Sequence, residues 1–528
     1  MKTLIICAAF GIAFSAFAGE MTVSIPLDAS AINISETGIY TRITGAGMGL
    51  ISAVGAPSLP VYSARIALPT GCAATGIEII DAEYSAVRGM YNIMPVQTQV
   101  PFSLEWDGIP DEPDPEIYKS SSFYPGKSAE FTGSSVILGI PVAYVNVFPV
   151  RWNPSSRTVD ILADLTLRVT YESSPDASTV LRRSNQTEIR SQEILRNSVV
   201  NPEGVSSSGA CIVDSKDLTY GEYVIIATTE YETYAQELAD WKTSKGVPAR
   251  VYTTTWIDSN YSCYDLQQEI RAFLTDCRDE GVEYVLIYGD DNKIAGRDAR
   301  ISSGSYEEFP PVDLYWSDIN DMIPGADLWD SNNNHVWGQY GYDDVDYHPD
   351  LWVGRASVNT TSECTIFNEK VYSYERVSST DYFESSEIEL RIGYTTEMLW
   401  PGCYGSAGAE LISPMVPSDW EEEKCYDSEG QNSVAITDSM LNAGPHHVYH
   451  SSHGSPTGFS LPGGAYTTND FKNLQNISNG GLPAIWNSIS CLIGKLDGVE
   501  CMGDAWNNSA EGGGFGAFNA RYGWGNPG

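Results

Sequence analysis

Basic residues are scarce in this chain. Its 528 residues include 30 Lys and Arg against 69 Asp and Glu, which gives a formal net charge of −39 and a pI of about 4.3. A field of this sign repels nucleic acid and anionic membrane surfaces, so neither is an expected partner. The acidity is compatible with cationic substrates, with bound metal cations, or with a simple solubility adaptation.

Long apolar runs are absent after the first 18 residues, so no membrane span is predicted. Those 18 residues combine Lys2, an apolar stretch from Leu4 to Phe14, and the small-residue pattern Ala16 to Ala18. This combination is typical of a secretory signal peptide. We therefore expect residues 1–18 to be removed and the protein to be secreted.

Cysteine is present in a number that does not pair. Ten cysteines, less Cys7 in the signal peptide, leave nine in the mature chain. At least one thiol must then be free or bonded between chains, which is unusual in an oxidising compartment. The count alone does not say which thiol this is.

Histidine is missing from residues 19–175, and so is any long helical pattern. Short apolar or alternating runs, such as Val61 to Leu68 and Leu165 to Tyr171, are separated by Gly, Pro, Asn and Asp. This rhythm predicts an all-β sandwich over residues 19–175. No plausible catalytic set is found in this region.

Residues 176–215 read as a linker, because Ser, Asn, Thr, Gln and scattered arginines replace the apolar runs. The adjacent Arg182 and Arg183 are then a candidate processing site, since a dibasic pair in an exposed linker is easily cut. An uncut tether is the alternative.

From Tyr223 onward, apolar strands alternate with amphipathic helices. Strands are predicted at residues 223–228, 249–254, 284–288, 350–354, 389–396, 447–451 and 483–490, and helices at 230–244, 264–278 and 361–376. The alternation predicts an α/β domain over residues 216–528, with a mostly parallel sheet flanked by helices. Sites in such sheets lie at the carboxyl ends of strands, where Glu397, His453 and Cys491 fall.

His453 and Cys491 suit a thiol nucleophile and its base. Each follows an apolar strand, and adjacent parallel strands could bring them together although 38 residues separate them. A histidine within hydrogen-bond reach holds a thiol as thiolate, and the amides of Gly454 and Cys491 are candidate oxyanion donors. The alternative is a buried structural Cys491, or one half of a disulfide.

Four histidines within eight residues, 446, 447, 450 and 453, could instead bind zinc. His447 and His453 share strand parity, whereas His446 and His450 point the other way. No H-E-x-x-H motif accompanies them, and no G-x-S-x-G motif follows a strand to indicate a serine hydrolase.

Several segments, taken together, resemble the gingipain-type cysteine peptidases of family C25. They are Leu286 to Asp290, Pro349 to Arg355, Ser452 to Gly454, Pro483 to Cys491 with Gly494, Cys501 to Trp506, and Gly514 to Trp524. The N-terminal region resembles the family's prodomain, notably at Gly55 to Val61.

The resemblance implies a caspase-like domain that hydrolyses protein and peptide substrates and is inhibited by its own prodomain. It places the nucleophile at Cys491, the general base at His453, the third catalytic residue at Glu397, and a tryptophan lining the specificity pocket at Trp524. This chain departs from the family in one respect. The stretch from Met398 to Glu410 lacks the Asp that pairs with a basic substrate side chain, so specificity for Arg or Lys is not carried over.

No cofactor is expected to be required. Calcium is a conceivable structural ion at the acidic stretch of Asp343, Asp344, Asp346 and Asp350 or at Asp290 and Asp291, although no EF-hand spacing is present. The chain ends 37 residues after Cys491, which would fit a fragment. The rival function is a non-enzymatic surface or adhesion module with a structural Cys491.

Overall fold

The computed structural model describes residues 18–101, 109–174, 182–206, 208–303, 306–319, 327–345, 347–376 and 390–525. Most of the predicted signal peptide, including Cys7, and Asp346 of the acidic stretch lie outside these ranges. The chain divides into two units. The first comprises residues 1–95, 113–181 and 185–212, and the second comprises residues 96–112, 182–184 and 213–528. Within the described residues, no helix is long and apolar enough to cross a membrane.

The first unit is built on two antiparallel sheets of four strands each. The long strand Thr158–Ser173 pairs with Ala18–Ile25, Cys72–Val87 and Val150–Asn153, and the other sheet holds Gly49–Leu50, Pro60–Ala67, Ala129–Ile137 and Ile140–Val147. Alternate apolar residues of both sheets, such as Leu167 and Val145, are buried together in one common core. A hairpin of Ile32–Thr37 and Tyr40–Gly45, and a short helix at Pro115–Tyr118, complete this unit's larger elements.

The predicted linker contains a helix, Asn185–Arg196. Leu195 is fully buried and packs with Val199 and Val205 against Val142 of the first unit, which composition alone did not indicate. The dibasic pair is also engaged: Arg182 forms an ion pair with Glu280, and only 7% of Arg183 is exposed. Cleavage at this pair therefore requires local opening of the chain.

The second unit contains two parallel sheets rather than the single sheet predicted. One has the strand order Ala249–Thr253, Tyr223–Ala227, Tyr284–Tyr288, Trp352–Ala356. The other, here called the five-stranded sheet, has the order Glu421–Tyr426, Arg391–Thr396, His447–Ser451, Ala484–Ser488, Gly514–Ala517. The α-helices are Glu232–Ser244, Thr254–Asn260, Leu266–Asp279, Leu314–Ser317, Thr361–Arg376, Ser406–Ile412, Val434–Asn442, Thr468–Lys472 and Met502–Asn508.

Short strands complete the second unit. They form two-stranded pairs at Arg297–Asp298 with Pro311–Val312, Ile301–Ser303 with Tyr306–Glu308, and Met398–Trp400 with Cys403–Tyr404. A three-stranded sheet of Gly454–Ser455, Gly458–Leu461 and Gly464–Thr467 follows the strand that leads to His453.

Aromatic side chains pack against the five-stranded sheet on one face. Trp486 packs edge-on against Trp506 at 5.0 Å and against Phe471 at 5.1 Å, measured between ring centroids. These rings are essentially fully buried. Burial of large aromatic groups contributes strongly to stability, so this packing stabilises the strand that leads to Cys491.

Helix Met502–Asn508, which comes shortly after Cys491 in the chain, is fixed at both ends by buried charged groups. Asp504 accepts the amide hydrogen of Cys501 at 2.9 Å, and the Lys370 ammonium donates to the carbonyls of Trp506 and Asn507. Burial, with a smaller effect of Asp290, raises the pKa of Asp504 to about 6, and burial lowers the pKa of Lys370 to about 7. Both ends therefore titrate near neutral pH.

Asp504→Asn should stabilise the protein above pH 6. A carboxyl whose pKa is raised in the folded state contributes stability below its unfolded value of 3.8, and loses it as the pH rises through about 6. The Asn variant has no such loss, so at pH 8 we expect a gain on the order of 2–3 kcal/mol in the free energy of unfolding. Chemical denaturation at pH 5 and pH 8 measures it.

Asp470→Asn is the matched control. Asp470 holds the same capping position in helix Thr468–Lys472 but is only half-buried. Its loss should lower stability at both pH values, by about 1 kcal/mol. An Asp504→Asn variant that is no more stable than the parent protein at pH 8 would contradict the account.

Candidate active site

The loops that hold His453 and Cys491 meet at the carboxyl end of the five-stranded sheet. Strands His447–Ser451 and Ala484–Ser488 are parallel neighbours with His450 opposite Ser488, so the residues that follow them emerge side by side. A Cβ placed on Gly454 would lie 2.5 Å from the carbonyl oxygen of Cys491. Only glycine allows this approach, and it brings the His453 loop against the Cys491 loop.

A buried hydrogen-bond network fixes the two loops. The His450 ring bonds the hydroxyl of Ser488 through Nδ1 and that of Ser452 through Nε2, both at 2.8 Å. The Ser452 amide in turn donates to the Ser490 hydroxyl at 3.0 Å. Burial lowers the pKa of His450 to about 3, so this ring is a neutral strut between the strands. The sequence analysis missed its role, and the alternating Ser488 and Ser490 before Cys491 were the available signal.

The Cys491 thiol is completely buried. Its sulfur accepts the amide hydrogen of Gly523 at 3.3 Å and lies 3.7 Å from the carbonyl oxygen of the same residue. Leu492, directly after it, has a φ of +63°, a strained conformation for a branched side chain. Such strain is common where a chain turns sharply to present a reactive group.

Glu397 follows strand Arg391–Thr396, next to the strand that leads to His453. Its amide donates to the carbonyl of Ser451 at 3.0 Å, and its carboxylate accepts the hydroxyl of Ser460. The Ser460 amide bonds the carbonyl of His453 at 2.9 Å. Ser460 therefore links the carboxylate to the His453 loop, a connection the sequence analysis did not anticipate.

The structure brings together the loops that hold the three predicted side chains but does not join the side chains themselves. Within the described part of the chain, no hydrogen bond connects the His453 ring to the Cys491 sulfur or to the Glu397 carboxylate. Catalytic hydrogen bonds are often long or unformed before substrate binds.

A short strand from the N-terminal half of the chain covers the thiol. Val100–Pro101 pairs antiparallel with Trp524–Gly525, with Pro101 opposite Trp524 and Val100 opposite Gly525. Val100 packs on a cluster formed by Leu399, Trp400 and Cys491. Trp524, the predicted pocket residue, thus lies next to Gly523 at the sulfur and pairs with this covering strand.

The histidine cluster is not arranged as a zinc site. His446 Nδ1 accepts the amide hydrogen of Arg391 at 3.2 Å, and burial lowers its pKa to about 4. Throughout the described ranges, no three His, Cys, Asp or Glu side chains converge to bind a metal ion. In the acidic stretch, Asp343 and Asp350 accept main-chain amides instead. The Cys491 thiol is not held in a disulfide.

The chain belongs to peptidase family C25. The profile of that family matches residues 216–528, and the profile of the C25 propeptide matches residues 25–200.

Among curated proteins, gingipain R2 of Porphyromonas gingivalis is 22% identical over 477 residues, and Lys-gingipain W83 of the same species is 20% identical over 502. These alignments cover 86% and 91% of this chain, but only 56% and 26% of the two relatives. The chain thus spans about half the length of gingipain R2. A crystal structure of the Arg-specific cysteine proteinase gingipain R overlaps 57% of this chain and 63% of its own, at 16% identity and a TM-score of 0.37.

Gly454→Ala should separate the two loops. The added methyl group would meet the Cys491 carbonyl, the side chain of Ile493 and that of Ser490, all within 3.1 Å. Overpacking of this kind costs about 1–3 kcal/mol, so we expect a lower melting temperature and, once limited proteolysis has exposed the thiol, slower alkylation of Cys491. Thermal denaturation and mass spectrometry of the labelled protein measure the two effects.

Gly354→Ala is the control, because a Cβ at that strand position has no neighbour within 4 Å. It should leave both readouts unchanged. If Gly454→Ala behaved like Gly354→Ala, the close contact of the two loops would be refuted.

Proposed function

We propose that this chain is a cysteine endopeptidase made as a zymogen. The observation that carries the proposal is the contact of the His453 and Cys491 loops at the ends of adjacent parallel strands, with Gly454 against the Cys491 carbonyl. Membership of family C25 and the match to its propeptide support it.

In the proposed mechanism the Cys491 thiol gives its proton to His453, and the resulting thiolate attacks a peptide carbonyl carbon. The amides of Gly454 and Cys491 donate to the oxyanion that forms. His453 then protonates the departing amine, which leaves a thioester on Cys491. Water, deprotonated by His453, hydrolyses this thioester and restores the thiol. Glu397 orients the imidazole and stabilises its cation.

The described structure is the latent form under this proposal. Cys491 is inaccessible to solvent, and Val100–Pro101 pairs with the short strand Trp524–Gly525 beside it. Residues 96–101 lie inside the region that matches the propeptide profile, so the prodomain would supply the segment that inhibits the peptidase domain.

The finer assignments are part of the same proposal. The first unit's two sheets would form the prodomain's β-sandwich, and residues 216–528 a caspase-like domain. The signal peptide would direct export, the substrates would be proteins or peptides, and no cofactor would be required. A structural calcium ion gains no support from the acidic side chains described here.

Alkylation of the native protein by iodoacetamide tests the nucleophile. The full chain is nicked by limited proteolysis to free the cleft, labelled, and mapped by mass spectrometry. A histidine-activated thiolate reacts faster than a free thiol at neutral pH, so we expect Cys491 to be the first cysteine labelled in the parent protein. In His453→Ala, we expect Cys491 to be labelled at least about tenfold more slowly than in the parent protein.

His447→Ala is the matched control, because it removes a half-buried histidine from the strand that leads to His453. It should leave the rate unchanged. A Cys491 that stays unreactive after nicking, or that reacts equally fast without His453, would favour the rival of a non-enzymatic module with a structural cysteine.

Glu397→Gln should reduce kcat/KM on the order of 100-fold or more, since the neutral amide no longer stabilises the imidazolium. Steady-state hydrolysis of a peptide by the nicked chain measures the change. Glu410→Gln is the control, because Glu410 is engaged with Lys424 and Tyr426. Equal rates for the parent protein and Glu397→Gln would remove Glu397 from the mechanism.

A further inference from the structure

One side of Cys491 is lined by apolar side chains. The thiol packs with Leu399 and Trp400, and Val100, Cys403, Leu492 and Tyr522 pack on them. The hairpin Met398–Trp400 with Cys403–Tyr404 directs two large hydrophobic groups toward the sulfur. We call Leu399 and Trp400 the apolar wall.

Three acids that contact this hairpin or lie near it in the sequence are already engaged. Glu397 accepts the Ser460 hydroxyl, and Asp427 accepts the amide of Met398 at 3.2 Å. Glu410 binds Lys424 at 2.8 Å.

Two further carboxylates, Asp497 and Glu308, both pair with Arg521, which precedes Tyr522. A buried Arg or Lys side chain of a substrate would need an unpaired carboxylate, because an uncompensated buried charge is strongly unfavourable.

The covering strand shows how a peptide lies here. Val100–Pro101 runs antiparallel to Trp524–Gly525, so its carboxyl end points toward Gly523, whose main chain lies on the Cys491 sulfur. A substrate bound in this register would place its second residue before the scissile bond opposite Trp524, and its third opposite Gly525.

Side chains of a strand alternate between two faces, so the first and third residues before the scissile bond share a face. In the covering strand, the residue opposite Gly525 is Val100, and its side chain packs on the apolar wall. The first residue of a substrate, opposite Gly523, would therefore face the same wall.

We propose that this site cleaves after apolar residues, with apolar side chains at the first and third positions before the scissile bond and with Leu399 and Trp400 determining the preference. The proposal rests on the peptidase function above and names its substrate class. Cleavage after Arg or Lys would be disfavoured because, within the described residues, the five carboxylates named above are already engaged.

The latent full chain gives a first test that needs no turnover. Val100→Arg places a cation against the apolar wall and should release the covering strand, so Cys491 becomes labelled by iodoacetamide at least tenfold faster than in the parent protein. Val100→Leu should stay latent. Gln99→Arg is the matched control, because it adds the same charge at the exposed neighbouring position. Unchanged or slower labelling of Val100→Arg would overturn the apolar assignment.

The nicked chain gives the second test. We expect kcat/KM for fluorogenic peptides with Leu or Phe before the scissile bond to exceed that for otherwise identical Arg or Lys peptides at least tenfold. Leu399→Asp should narrow or reverse this ratio, whereas Met398→Asp, at an exposed position of the same hairpin, should preserve it.

The outcomes separate the two claims. Faster cleavage of Arg or Lys peptides, abolished by Cys491→Ala, would overturn the specificity and leave the peptidase intact. An absence of cleavage together with an inert thiol would overturn both. Leu or Phe preference that disappears in Cys491→Ala, and that Leu399→Asp but not Met398→Asp alters, is the result expected.

Discussion

The parallel pairing of His447–Ser451 with Ala484–Ser488 is the constraint on which the site depends. It brings the His453 loop and the Cys491 loop to one edge of the five-stranded sheet. Gly454 has no side chain, so the two backbones can come into contact there. The neutral, buried His450 then ties both loops through Ser488 and Ser452. A charged ring could not serve in that place, because burial without a counter-charge disfavours the cation. Packing and hydrogen bonding thus hold the His453 and Cys491 loops in contact.

The short strand Trp524–Gly525, which lies outside the five-stranded sheet, would account for the proposed latency. A free strand edge beside a nucleophile binds extended peptides through main-chain hydrogen bonds, whatever their sequence. Here Val100–Pro101 pairs with that strand, and Cys491 is buried beneath apolar side chains. A thiol in apolar surroundings is a poor nucleophile, so the covering strand would restrain the chemistry as well as block access. Selectivity and inhibition would then arise from one surface.

Much of this was predictable from the sequence. Strands Tyr284–Tyr288 and His447–Ser451 and helix Thr361–Arg376 have the predicted bounds, because apolar periodicity is strong there. Strands Glu421–Tyr426 and Gly514–Ala517 were missed, since one begins with three glutamates and the other is rich in glycine. The two-sheet arrangement and the helix at Asn185–Arg196 depend on tertiary packing that periodicity does not encode. Gly523 and Val100 reach the site from positions distant from Cys491 in the sequence, and Ser460 reaches it through the pairing of the short strands that follow His453, so no local pattern marked them.

The most direct test of the account is to trap the acyl-enzyme. A peptide ester that acylates quickly and deacylates slowly would be mixed with the nicked chain, quenched in acid and analysed by peptide mass mapping. The account predicts a thioester, with the mass of the peptide acyl group, on Cys491 alone and its absence in His453→Ala at the same time point. Turnover without any adduct on Cys491, or turnover that persists in Cys491→Ala, would contradict it.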